Sequence, residues 1–188
     1  IATVLVPASE GLFRYYERHG YQTLFHIKEY KFSCQEVQEE FQEVYAASLR
    51  DEHVKDEVTL LEVSNEEYKR IRDLHFEGPG FVKWSKAEIA YAIKENALLG
   101  GNTKKVVVKH HEDILMYYID NETLVVKETT LKSKRILPVL KEIAIRLGCD
   151  SVSVRTANNH LKEGSLRPFG MIFGLEATAE LNNAYLNL

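Results

Sequence analysis

Residues 15–21 read YYERHGY and place two phenols, a carboxylate, a guanidinium and an imidazole side by side. A phenol, with a pKa of about 10, can protonate a departing anion of comparable basicity such as a thiolate. Other reactive groups are scattered. His110 and His111 are adjacent and precede Glu112 and Asp113. Neighbours on a strand point to opposite faces, so this pair does not readily share one metal ion and reads as a polar hairpin end. The two thiols, Cys34 and Cys149, have neither a disulfide framework nor metal-ligand spacing, which suits reduced thiols in a cytoplasmic protein. His26 reads as a structural histidine within a strand. Glu128 and Glu142 are acids that no pattern marks as a pocket pair. TANNH (156–160) follows a strand end, where ligands of α/β sheets gather, but reads first as a polar loop. No metal is expected.

The elements that must position these groups follow from the apolar pattern. The chain has 188 residues, 45% hydrophobic and 28% charged, within the range of globular domains. Its net charge of −4 argues against nucleic acid or an anionic membrane as the main partner. No apolar run is long enough to span a membrane. TVLVP (3–7) reads as a strand, Ser9 as an N-cap, and Leu12, Phe13, Tyr16 and His19 as one helix face closed by Gly20. YQTLFHIKEY (21–30) alternates as a strand. A chain opening in mid-sheet suggests that upstream sequence is missing. Residues 34–56 are acidic and connector-like, with Val37, Phe41, Val44 and Tyr45 at amphipathic spacing.

From residue 57 the pattern is regular. A strand is followed by helices opened by capping boxes at Ser64/Glu67 and Ser85/Glu88, the first running to about Phe76. Three hairpin-linked strands follow between Thr103 and Leu131. A helix containing Pro138 in its first turn comes next, then a strand, a short helix within NNHLKEGSLR (158–167) and a last strand. Gly100 and Gly148 are expected to end helices at positive φ. The expected architecture is α/β: one mixed, mainly antiparallel sheet over residues 57–175 with helices on both faces.

This order resembles the GNAT (GCN5-related) acyltransferase fold. LVPASEGLFRYYERHGYQTLF resembles the carboxy-terminal GNAT motif, with Tyr15, Tyr16, Glu17, Arg18, Gly20 and Tyr21 in register. FVKWSKAEIAYAIKENALLGG resembles the second-helix region of the second repeat in bacterial tandem-GNAT proteins. The resemblance implies three parts: 1–33 as the end of a first GNAT domain, 34–56 as a connector, and 57–188 as a second, divergent GNAT-like domain. It implies acetyl transfer from acetyl-CoA to a small-molecule or peptide amine, with Tyr16 as the general acid on sulfur. Ser9 stands where many members have a pantetheine-binding Asn. The Gly-rich pyrophosphate loop of the family has no counterpart in KETTLKSKRILPVLKEI (127–143), although Lys132, Lys134 and Arg135 lie there. The second unit is therefore expected not to bind cofactor, and the chain alone to be inactive. The alternative is a non-catalytic module that caps a substrate groove or forms a homodimer interface.

Overall fold

The computed structural model describes residues 2–35, 57–78, 80–174 and 184–186. Its strands are β1 (Thr3–Leu5), β2 (Gln22–Ser33), β3 (Val58–Glu62), β4 (Asn102–Val108), β5 (His111–Asp120), β6 (Thr123–Thr129), β7 (Ser151–Thr156) and β8 (Ser165–Phe173). The helices, numbered here in chain order, are α1 (Glu10–Glu17), α2 (Asn65–His75), α3 (Lys86–Leu98) and α4 (Ile136–Arg146). A short 3-10 turn, Ser133–Arg135, precedes α4 and leaves Pro138 in the first helical turn, where its missing N–H costs no bond.

All eight strands belong to one sheet in the order β1-β8-β2-β7-β6-β5-β4-β3. The meander β3 to β6 is antiparallel and β6 pairs with β7 in parallel. The sheet expected over residues 57–175 is thus present, and it is larger than expected. The long β2 enters between β7 and β8, pairing with β8 through its first part and with β7 through its second. The short helix expected in residues 158–167 is a correction: these residues form turns and bends, and β8 has begun by Ser165. His160 N–H bonds Ala157 O (3.0 Å), closing a single turn that no periodic apolar face extends. The amphipathic pattern at Val37, Phe41, Val44 and Tyr45 lies outside the described residues.

Side-chain alternation along β5 assigns the two faces. Leu115 and Tyr117 join the core under α4, whereas Ile114 and Met116 join the core under α2 and α3. Ser64 Oγ accepts from Glu67 N–H (3.1 Å), and Ser85 with Glu88 makes the full capping box. Ser9 occupies the N-cap position of α1 but makes no side-chain cap bond. Gly100 and Gly148 follow α3 and α4 with φ of 75° and 73°. Beside Gly100, a Cβ on Gly101 would stand 2.6 Å from Tyr117 O and from the Asn96 side chain. Gly100→Ala should therefore cost about 1 kcal/mol, from strain alone. Gly101→Ala should cost more, because a backbone oxygen must move; urea-unfolding midpoints of the two variants check this ranking.

Candidate functional site

α1 stands over the β2/β8 end of the sheet and leaves a cleft of about 840 Å³ beside the β1–α1 turn. Ser9, Glu10, Phe13 and Glu17 line it from the helix side, and Arg167 and Phe169 from β8. Arg167 and Arg155 both bond Glu29 Oε1, at 2.6 and 2.8 Å, so one carboxylate holds two guanidiniums, of which Arg167 lines the cleft. Tyr16 is half-buried on the flank of α1 and does not line this cleft. Its ring meets Tyr15 edge-on (5.2 Å between centroids) and Tyr21 (5.4 Å), and Tyr21 packs on Phe173 of β8 (5.3 Å). Tyr16 O accepts from His19 and Tyr21 N–H, and Gly20 (φ 85°) turns the chain into β2. The YYERHGY motif thus anchors α1 to the sheet by its aromatic rings while the helix presents polar groups to the cleft.

A second place of interest lies inside the sheet. β6 and β7 run in register from Thr123/Ser151 to Val126/Val154, beyond which no pairing continues. On its other side β6 carries a bulge: Tyr117 faces Val126 and Met116 faces Glu128, leaving Lys127 as the extra residue. The bulge breaks the two-residue alternation and turns Glu128 to the α2/α3 side. There the buried Glu128 accepts from Tyr68 Oη (2.5 Å) and from Arg72 Nε (3.1 and 3.3 Å). Arg72 Nη1 donates to Val82 O (3.0 Å), and the guanidinium lies over the rings of Phe76 (5.2 Å) and Trp84 (5.1 Å). Arg72 is 1% and Glu128 3% exposed, so both charges are removed from water. Burial and the Glu128 charge push the Tyr68 phenol well above its ordinary range. Burial opposes the Arg72 charge, but Glu128, Tyr185 and Tyr68 outweigh it and its pKa rises.

Beside this pair sits a second buried group. Asp113 accepts from Thr130 Oγ1 (3.0 Å) and Arg135 Nη1 (3.3 Å) and faces His75 Nδ1 at 3.8 Å. Three of the main-chain donors leading into α4 are used within the chain. Thr130 N–H bonds Ile114 O, Leu131 N–H bonds Thr129 Oγ1, and Arg135 N–H bonds Lys132 O. A phosphate at a helix entrance needs free N–H groups, and these three are already bonded. His160, 2% exposed, stacks on Phe76 with rings 5.1 Å apart and 8° from parallel. Burial lowers its pKa to about 3, with the charges of Lys132 and His75 adding to the effect.

Of the groups singled out from sequence, Glu128 and the end of TANNH belong to this interior cluster. Glu142 is instead a surface partner of Arg146. His110 and His111 sit at the β4–β5 hairpin end, as expected, and no cluster of metal-ligating residues occurs among the described residues. Cys34 and Cys149 are free and buried in the α4 core, and burial raises both thiol pKa values. Tyr68 and Arg72 were missed. Arg72 and Tyr68 occupy ordinary α2 positions, and the turn that brings Glu128 to them, 56 and 60 residues away, is a bulge with no composition signal.

Neither a protein-family model nor a curated protein sequence matches the chain. Solved structures do. A conserved protein from Enterococcus faecalis described as a probable N-acyltransferase superposes with a TM-score of 0.59 at 15% identity, covering 91% of this chain and 44% of its own. The fold is GNAT-like. A GCN5-related N-acetyltransferase from Anabaena variabilis gives 0.55 at 13% identity, over 91% of this chain and 45% of its own. Eis1 from Mycobacterium abscessus gives 0.56 at 10% identity, over 92% and 46%. The chain spans less than half the length of these structures. At such identities the match concerns the GNAT-like fold, and no helix among the described residues is long and apolar enough to cross a membrane.

The His160 environment has a measurable consequence. In the unfolded chain this imidazole titrates at about 6.5, so the unfolded state takes up the proton first as pH falls. Stability should be insensitive to His160 above about pH 6.5 and should decline below it, by up to about 1.4 kcal/mol per pH unit. His160→Phe keeps a ring against Phe76. Urea midpoints at pH 7.0, 6.0 and 5.0 should fall less for this variant than for the wild type.

Proposed function

We propose that the protein is a GNAT-superfamily N-acyltransferase that moves an acetyl group from acetyl-CoA to a small-molecule or peptide amine. In this reading the chain is the carboxy-terminal part of a tandem arrangement. Residues 1–33 complete a first, catalytic GNAT unit, and residues 57–188 form a second unit that takes no donor. The observation that carries the division of roles is the contrast between the two openings. The β1–α1 cleft is open, whereas the divergence of β6 and β7 is lined by the Tyr68–Glu128–Arg72 cluster and three donors of the following loop are bonded internally. The cytoplasm suits the two free thiols.

The chemistry proposed for the first unit is direct aminolysis of the thioester. The amine lone pair forms a C–N bond to the acetyl carbon, the C–S bond breaks, and the amine loses a proton to solvent. Tyr16 protonates the departing thiolate. One contact supports this role: the ring is packed against Tyr15 and Tyr21, which limits its rotation. Binding of the donor should be almost independent of that hydroxyl, because charge on sulfur develops only as the bond breaks. In the full-length protein Tyr16→Phe should lower kcat by about 10²–10⁴ and leave the acetyl-CoA Kd nearly unchanged. Unchanged kcat across pH 6–10 would remove Tyr16 from the mechanism.

The second reading is a non-catalytic binding or assembly module, and the closed interior favours it for residues 57–188 taken alone. Thermal unfolding of the 188-residue chain with acetyl-CoA tests the expectation the two readings share, that residues 57–188 take no donor. A working donor site would stabilise by about 2.7 kcal/mol at 100 times its Kd. We expect no saturable shift from the second unit.

A further inference from the structure

The groove between β2, β8 and the α2–α3 loop is shaped around residues 184–186, which return to it near the carboxy terminus. Tyr185 N–H donates to Gly80 O (3.0 Å), Val82 N–H to Tyr185 O (3.2 Å) and His26 N–H to Ala184 O (3.4 Å). His26 stays paired with Pro168 of β8, and the β7 ladder on its other side begins only at Lys28, so its N–H is available to the segment. Two glycines make the remaining room. A Cβ on Gly80, whose φ is 90°, would stand 3.0 Å from Ala184 Cα, and one on Gly170 would stand 3.1 Å from Leu186 Cδ2. Tyr185 fills a pocket with Ile27, Phe76 and Ala157, its ring 4.8 Å from that of Phe76. Ala184 and Leu186 pack with Leu24, Phe25 and Ile172.

We propose that this groove is a peptide-binding site and that residues 184–186 are its intramolecular ligand, a strap that can leave and return while the sheet stays folded. The groove recognises a small residue, an aromatic residue and an aliphatic residue in that order, through main-chain bonds on both sides. Among the described residues the strap contributes one isolated bridge, Phe81 to Tyr185, whereas the neighbouring strands are held by ladders of several residue pairs. Segments held by few main-chain bonds open without global unfolding. Its departure uncovers Phe76, and with it the stacked His160 and the Arg72 guanidinium, so occupancy of the groove governs access to the interior cluster. This inference goes beyond the acyl-transfer reading and does not depend on it.

Native-state hydrogen exchange on the full chain tests it. The amides of His26, Val82 and Tyr185 should exchange together, at least about tenfold faster than ladder amides such as those of Leu115 and Val126. In the full-length Tyr185→Ala variant, a synthetic peptide with the sequence of residues 182–188 should restore protection at Val82 and His26 in a saturable manner. The same peptide carrying alanine at the Tyr185 position should not. Exchange of the three amides only in step with the ladder would overturn the proposal, and so would failure of the wild-type peptide to restore protection in a folded variant. If Tyr185→Ala does not fold, the wild-type exchange pattern decides alone.

Discussion

The interior of this sheet depends on one buried ion pair, Arg72 with Glu128. Two charges removed from water cost several kcal/mol each unless each is met by opposite charge and hydrogen bonds. Here the carboxylate receives Tyr68 Oη and Arg72 Nε, and the guanidinium has Val82 O and two aromatic faces in addition. Each partner constrains an element. Tyr68 and Arg72 set the rotation of α2 on the sheet, Val82 sets the α2–α3 loop, and Glu128 requires the bulge in β6. Removing the bulge would return Glu128 to the α4 face, among Leu124, Val126 and Leu131. The bulge, the helix register and the closed divergence of β6 and β7 are therefore one arrangement.

β2 links this arrangement to the open cleft. It hydrogen-bonds to β7 through one half and to β8 through the other, so α1, which feeds it, is carried on the same sheet as the ion pair. The aromatic contacts of Tyr16, Tyr21 and Phe173 fix the helix over that end. The cleft and its polar lining residues are thus carried on one sheet. The filled interior serves as support. The GNAT-like fold thus offers two openings, and side-chain chemistry leaves one of them accessible.

Local signals were legible in the sequence. The capping boxes at Ser64 and Ser85, the stops at Gly100 and Gly148 and the meander all rest on contacts between near neighbours, and composition records those. The YYERHGY string likewise marked a helix end. What was not legible depends on long-range pairing. The place of β2 between β7 and β8 joins residues more than a hundred positions apart. The helix expected in residues 158–167 gave way to a single turn that seats His160 against Phe76, a contact between residues far apart in the chain. Glu128 looked like an ordinary strand acid, since a bulge changes facing without changing composition.

The central claim is that Arg72 and Glu128 act as one unit closing the interior. A double-mutant cycle with Arg72→Met and Glu128→Leu, read by urea unfolding, tests it most directly. Each single change leaves a buried charge unpaired and should cost about 3–5 kcal/mol. The double variant replaces both charges by apolar groups and should recover most of that loss, giving a large coupling energy. Additive losses in the double variant would contradict the account, because the two side chains would then contribute independently.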